Sequence, residues 1–195
     1  MTSSASSRVG VQDRDAELVE RAAAGDADAF DALMATRLER VFRIARAIVR
    51  DDALARDIVQ DACVHAWRDL PAIRDVRRFD AWLTQIVVNG CRSELRRSKR
   101  RVIREIPMED ASASGSGPGH RASEPLVGDQ VVEAEAVRRA FARLDPDQRT
   151  LLVLHYVDDR PVDEIAAAMR VPSGTVKWRL SRAREALQRA LEAER

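Results

Sequence analysis

"RPVDEIAAAMRVPSGTVKWRLSRAREAL", Arg160 to Leu187, decides the fold. Its first part is a short amphipathic helix with Ile165, Ala166 and Met169 on one side. Arg170 to Pro172 form a tight turn, and a second helix follows. At about 100° per residue, Val176, Leu180, Ala183 and Leu187 fall within one narrow apolar stripe. Trp178 lies about 200° from Val176, beside Ser181, Arg182 and Thr175. The helix therefore buries one face and offers another that is basic, hydroxylated and aromatic. Two short helices across a tight turn make a helix-turn-helix, whose second helix enters a major groove. Arg suits guanine edges, hydroxyls suit phosphates or bases, and an apolar ring suits the thymine methyl. The candidate groove residues are Thr175, Lys177, Trp178, Arg179, Ser181, Arg182 and Arg184. The competing reading is an ordinary helical hairpin with a solvated charged face.

Outward from this stretch the chain reads as helical throughout. "DPDQ", Asp145 to Gln148, places an N-cap Asp, a first-turn Pro and a capping-box Gln in order. Asp26 can cap a helix carrying Phe30, Leu33, Met34, Val41 and Ile44. Asp51 can cap a second one with Ile58, Val59, Ala62 and Ala66 inward, and Trp67 at its margin, stopped by Pro71. "LPAIRDVRRFD" is expected to be a loop. Phe79, Trp82, Ile86 and Val87 begin a third helix, which runs out into "RSELRRSKRR". Residues 1–13 are Ser-rich and expected to be a disordered tail. "EDASASGSGPGHRASEP" is expected to be a linker. The fold class is all-α, with two small helical domains, residues 14–104 and 129–195, joined by a flexible acidic linker over 105–128.

Charge is segregated along the chain. The net charge of +1 implies no partner by itself. Cys91 to Arg104, however, holds seven basic residues and one acid, and Glu105 to Glu135 holds seven acids and one Arg. Two basic helices in two tethered units point to a polyanion. Cys63 and Cys91 cannot form a disulfide framework, and the pattern suits reduced thiols. The sequence shows no metal-ligand spacing, Gly-rich phosphate loop or nucleophile–base motif, so no cofactor and no catalytic chemistry are expected. No 18-residue apolar run exists, so membrane insertion is not expected and a cytoplasmic location is.

Three motifs in order resemble the extracytoplasmic-function (ECF) sigma factors. "DALARDIVQDACVHAWRDL" resembles the segment that grips RNA polymerase. "FDAWLTQIVVNGCRSELRRSKRR" resembles the segment that reads the promoter minus-ten element. "LDPDQRTLLVLHYVDDRPVDEIAAAMRVPSGTVKWRLSRAREAL" resembles the minus-thirty-five-reading domain. The likeness covers about residues 15–104 and 129–193. It departs at Trp178, where Ser is frequent, and at Pro161, where a capping Ser or Thr is common.

The resemblance implies a sigma subunit that binds core RNA polymerase and promoter DNA and is held in check by an anti-sigma factor. It implies that Asp57, Gln60 and Asp61 meet the polymerase, and that Asn89, Arg92, Ser93, Arg96 and Arg97 contact minus-ten DNA. The loop 70–78 would then hold a flipped base, which must return a few kcal/mol of lost stacking. Trp67, Phe79 and Trp82 are either stacking platforms or core. A free coil of 26 residues spans about 28 Å, whereas promoter elements two helical turns apart are separated by about 70 Å. Reading both at once needs a partner that holds the tether extended. The alternative is a free-standing helix-turn-helix regulator, which would bind duplex DNA tightly without polymerase.

Overall fold

Capping and apolar periodicity set the elements in this chain. The computed structural model describes residues 15–105 and 129–194, with side chains described for 15–101 and 135–194. The expected tail lies outside these residues, as does all of the expected linker but Glu105. Helix α1 runs through residues 15–23. It ends at Gly25, whose φ of 97° is the left-handed conformation that glycine adopts without a Cβ clash. Asp26 then accepts a hydrogen bond from the Ala29 backbone N–H and starts α2, Ala27–Ala35. Helix α3, Leu38–Val49, follows, and then α4, Asp52–Asp69, capped by Asp51.

The single helix expected to carry Phe30 through Ile44 is in fact two. The break falls at Thr36 and Arg37. The Thr36 hydroxyl and the Arg37 guanidinium both donate to the Leu33 carbonyl, at 3.1 and 3.0 Å. Side chains thus take an acceptor that a continuing helix would need. Arg37 is buried and also pairs with Asp15 and Asp80, both at 2.6 Å. Burial opposes its charge, but these two carboxylates outweigh that and raise its pKa.

The segment expected as a loop is two single turns of tight helix, Leu70–Ala72 and Val76–Arg78. Helix α5, Phe79–Glu105, follows. Its inward face also differs from expectation. Phe79, Leu83, Thr84, Val87, Val88 and Cys91 are buried, whereas Trp82 and Ile86 are only half-buried. The buried arc covers about half the helix circumference, which is more than one neighbouring layer requires. Gly90 permits the close approach of α4, because a Cβ there would lie 3.0 Å from the Ile58 Cγ2.

The second half comprises α6, Asp129–Ala142; α7, Pro146–Leu152; a wide turn, Val153–Val157; α8, Val162–Met169; and α9, Ser173–Glu192. The expected capping box is present at Asp145 and Gln148. Pro161 stands at the N-cap of α8 and makes no side-chain cap bond. Arg170 closes α8 in the left-handed conformation, with φ 56°.

The two expected helical domains pack against each other in the structure. Buried residues of both halves form one continuous core, with α3 and α5 against α7, the wide turn and α8.

Candidate nucleic-acid and polymerase interfaces

Helix α9 has the two faces that its sequence dictates. Val176, Leu180 and Ala183 are buried, and Leu187 lies at their margin. Trp178 is 62% exposed. Around it, Lys177, Ser181, Arg182 and Arg184 are exposed, and Thr175 and Arg179 are half-buried. The Arg182 guanidinium stands 5.7 Å from the Trp178 ring centroid, within cation–π range. On its other side Arg182 donates to Glu185 at 3.2 Å, and Glu185 also accepts from Ser181 at 3.4 Å. Sequence reasoning passed over Glu185. Its position, about 180° from Val176, places it in the middle of the exposed face.

The basic end of α5 is a second exposed cationic surface. Asn89, Arg96 and Arg97 are exposed, and Arg92 and Ser93 are half-buried. Arg97 pairs with Glu94, and Arg92 pairs with Asp147 of the second half at 3.2 Å. Asn89, Ser93 and Arg97 line a cleft of about 410 Å³ shared with Asp61 and His65 of α4. Beside the 70–78 segment lies a polar cleft of about 540 Å³, lined among others by Arg37, Val76, Arg77 and Asp80.

The outer face of α4 carries Asp57, Gln60 and Asp61, all exposed. Val64 completes the row at helical spacing and is 63% exposed. The 57/60/61/64 spacing places all four on one side of the helix and could have revealed Val64 from the sequence. Two of the three candidate stacking rings serve the core and the third sits at its edge. Phe79 is buried, Trp82 packs on it at 5.8 Å, and Trp67 meets Phe30 edge-on at 5.1 Å.

The thiols are poorly placed for redox chemistry. Burial pushes Cys91 up to about 12 and raises Cys63 as well, so neither is a thiolate at neutral pH. Among the described residues no cluster of His, Cys, Asp or Glu could hold a metal ion. Among them, too, no helix is long and apolar enough to cross a membrane.

Known proteins match both halves. The family model described as Sigma-70 region 2 matches residues 33–101, and Sigma-70, region 4, matches residues 134–187. The RNA polymerase sigma-H factor of Pseudomonas aeruginosa is 32% identical, with 93% of this chain and 95% of the relative covered. The ECF RNA polymerase sigma factor SigM of Mycobacterium tuberculosis is 35% identical over 91% of this chain and 84% of its own. The chain belongs to the ECF sigma factors.

Solved structures agree with the family. CnrH in complex with the cytosolic domain of CnrY is similar at TM-score 0.64 and 26% identity, covering 93% of this chain and 99% of the other. The sigma factor RpoE in complex with the anti-sigma factor NepR from Bartonella quintana has the same score and identity, covering 85% and 98%. Relatives named as RNA polymerase sigma factors thus cover 91% and 93% of this ECF sigma factor. The free-standing regulator reading is not favoured by these matches.

Proposed function

We propose that this ECF sigma factor binds core RNA polymerase through Asp57, Gln60, Asp61 and Val64 on α4. It reads the minus-thirty-five element through α9, with Thr175, Lys177, Trp178, Arg179, Ser181, Arg182 and Arg184 facing the groove. It reads the minus-ten element through Asn89, Arg92, Ser93, Arg96 and Arg97, with a flipped base held beside residues 70–78. An anti-sigma factor is its regulator, by likeness to RpoE with NepR. The observation that carries the reading is the pair of exposed basic surfaces, one in each sigma-region half, the one on α9 opposite a buried stripe and the one on α5 running past the last buried residue, Cys91.

The division of labour follows from general chemistry. Arginines on α5 hold phosphates, which position a duplex, and α9 meets base edges, which specify it. The core enzyme supplies geometry that a free tether does not. Purified protein is expected to capture core polymerase and to gain promoter-specific transcription only when core is added. Tight, sequence-specific duplex binding by the free chain, with no transcription gained on adding core, overturns the reading.

A further inference from the structure

A groove between α3 and α6 takes no part in the surfaces assigned above to DNA or polymerase. Its rim is cationic. Arg43, Arg46 and Arg50 recur at helical spacing along the end of α3, and Arg138 stands across from them on α6. Its floor is apolar. Ala47 and Phe141 form it together with Val137, which is 43% exposed. The space between is about 300 Å³, at the lower end for sites that take small molecules.

The positive charge here is poorly answered. Among the described residues no carboxylate lines the groove. Arg46 pairs with Asp52 at 2.7 Å and Arg138 with Glu135 at 3.4 Å, and both acids stand outside it. Among the described residues neither Arg43 nor Arg50 has an ion pair, and Arg50 makes a long 3.5 Å bond to the Ala142 carbonyl. The repulsion reaches the interior. After burial itself, Arg50 is the next cause that pushes the Arg149 pKa down. An anion in the groove would relieve it. The next arginines of α6 show such capture. Arg139 and Arg143 hold the Glu194 carboxylate at 2.6 and 2.8 Å, with the Glu194 side chain 9% exposed.

Rim and floor together select the anion. A phosphodiester backbone gains nothing from an apolar floor. A fatty carboxylate answers one guanidinium and leaves the rest unpaired. A nucleoside polyphosphate brings several negative charges and a flat ring on one small body. We propose that this groove binds a nucleoside polyphosphate, its phosphates among Arg43, Arg46, Arg50 and Arg138 and its base on Phe141 and Val137. Guanidinium forks match phosphate oxygens two at a time. The site is complete only when α3 and α6 are both in place, so a bound nucleotide raises the melting temperature by mass action. Nothing in this assignment depends on the promoter-reading roles proposed above.

The test titrates GTP, ATP and inorganic triphosphate into the full chain by calorimetry, without magnesium and without core polymerase. Both nucleotides are expected to bind saturably at one site and to raise the melting temperature. Inorganic triphosphate is expected to bind about tenfold more weakly, because the apolar floor then stays wet. Arg43→Ala combined with Arg138→Ala is expected to weaken nucleotide binding at least tenfold, since charge-assisted bonds are lost. Arg96→Ala combined with Arg97→Ala removes the same charge from α5 and is expected to leave nucleotide binding unchanged. Circular dichroism checks folding. If the Arg43/Arg138 variant loses its helical signal, Val137→Glu decides, because it sets a carboxylate on the exposed floor and is expected to abolish binding. No saturable nucleotide binding, triphosphate that binds as tightly as nucleotide, or equal losses from the two arginine pairs overturns the site. Absence of core-dependent transcription overturns the sigma reading and leaves the site standing.

Discussion

Trp178 is the residue where this chain's specificity is most open to test. Its ring takes no part in the buried stripe of Val176, Leu180 and Ala183 and is 62% exposed. What it touches is Arg182, whose guanidinium is held between the ring and Glu185. An arginine so confined loses less rotamer freedom on meeting a guanine edge. Trp178→Ser is therefore expected to leave the melting temperature nearly unchanged, since little buried area is lost. It is expected to shift minus-thirty-five preference by about 1–3 kcal/mol at one or two base pairs. Promoter-library selection with both proteins, alongside a thermal melt, reads both quantities. A large fall in melting temperature with unaltered preference would place the ring in the fold, and no change in either would assign it to a protein partner. The exposed position was legible from helical phase alone. The Arg182–Glu185 arrangement was not, because side-chain pairing on one face depends on rotamers that spacing does not encode.

At the scale of elements, local chemistry was read well and packing less well. Asp26, Asp51 and Asp145 all cap where the sequence places them, because a cap is decided within four residues. The break at Thr36–Arg37 was missed because it depends on Arg37 meeting Asp15 and Asp80, which are far away in sequence. The face of α5 was misjudged for the same reason. Trp82 and Ile86 fit a single stripe, but the second half covers the helix from another side, and Thr84 is buried there beneath Arg160. Caps also separate two substitutions by magnitude. Asp145→Ala removes the acceptor for the Asp147 N–H and is expected to cost about 1 kcal/mol. Pro161→Ser supplies a cap that α8 lacks, worth about 1 kcal/mol, yet gives back about 0.4–1 kcal/mol of chain stiffness. Denaturant melts are expected to show a clear loss for the first and a near-neutral result for the second. A clear gain for Pro161→Ser would mean that proline contributes little stiffness there.

The whole molecule is organised by charge. The basic end of α5 and the basic face of α9 lie in different halves, and the acidic run between them, Glu105 to Glu135, keeps the net charge at +1. This balance limits non-specific attraction to nucleic acid, while each basic face remains locally strong. The buried arginines that join the halves behave differently from the exposed ones. Burial lowers the pKa of Arg149, with Arg50 adding to the effect and Asp145 opposing it, while its guanidinium donates to the Ile48, Ala142 and Leu144 carbonyls. Burial also opposes the charge of Arg160, but Asp158 and Glu164 outweigh it and the pKa rises. The docking of the halves was hidden from the sequence because these arginines meet partners far away in the chain. Arg96 and Arg97 are surface charge, exposed on the last turns of α5. If both hold phosphates, each releases about one counterion when DNA binds. Replacing both with Ala is then expected to weaken holoenzyme binding by a similar factor on every promoter sequence. The slope of log affinity against log salt is expected to flatten by about two. Titrations across several salt concentrations on two promoters with different minus-ten elements measure both effects. An unchanged slope with an altered minus-ten preference would show instead that the two arginines read bases.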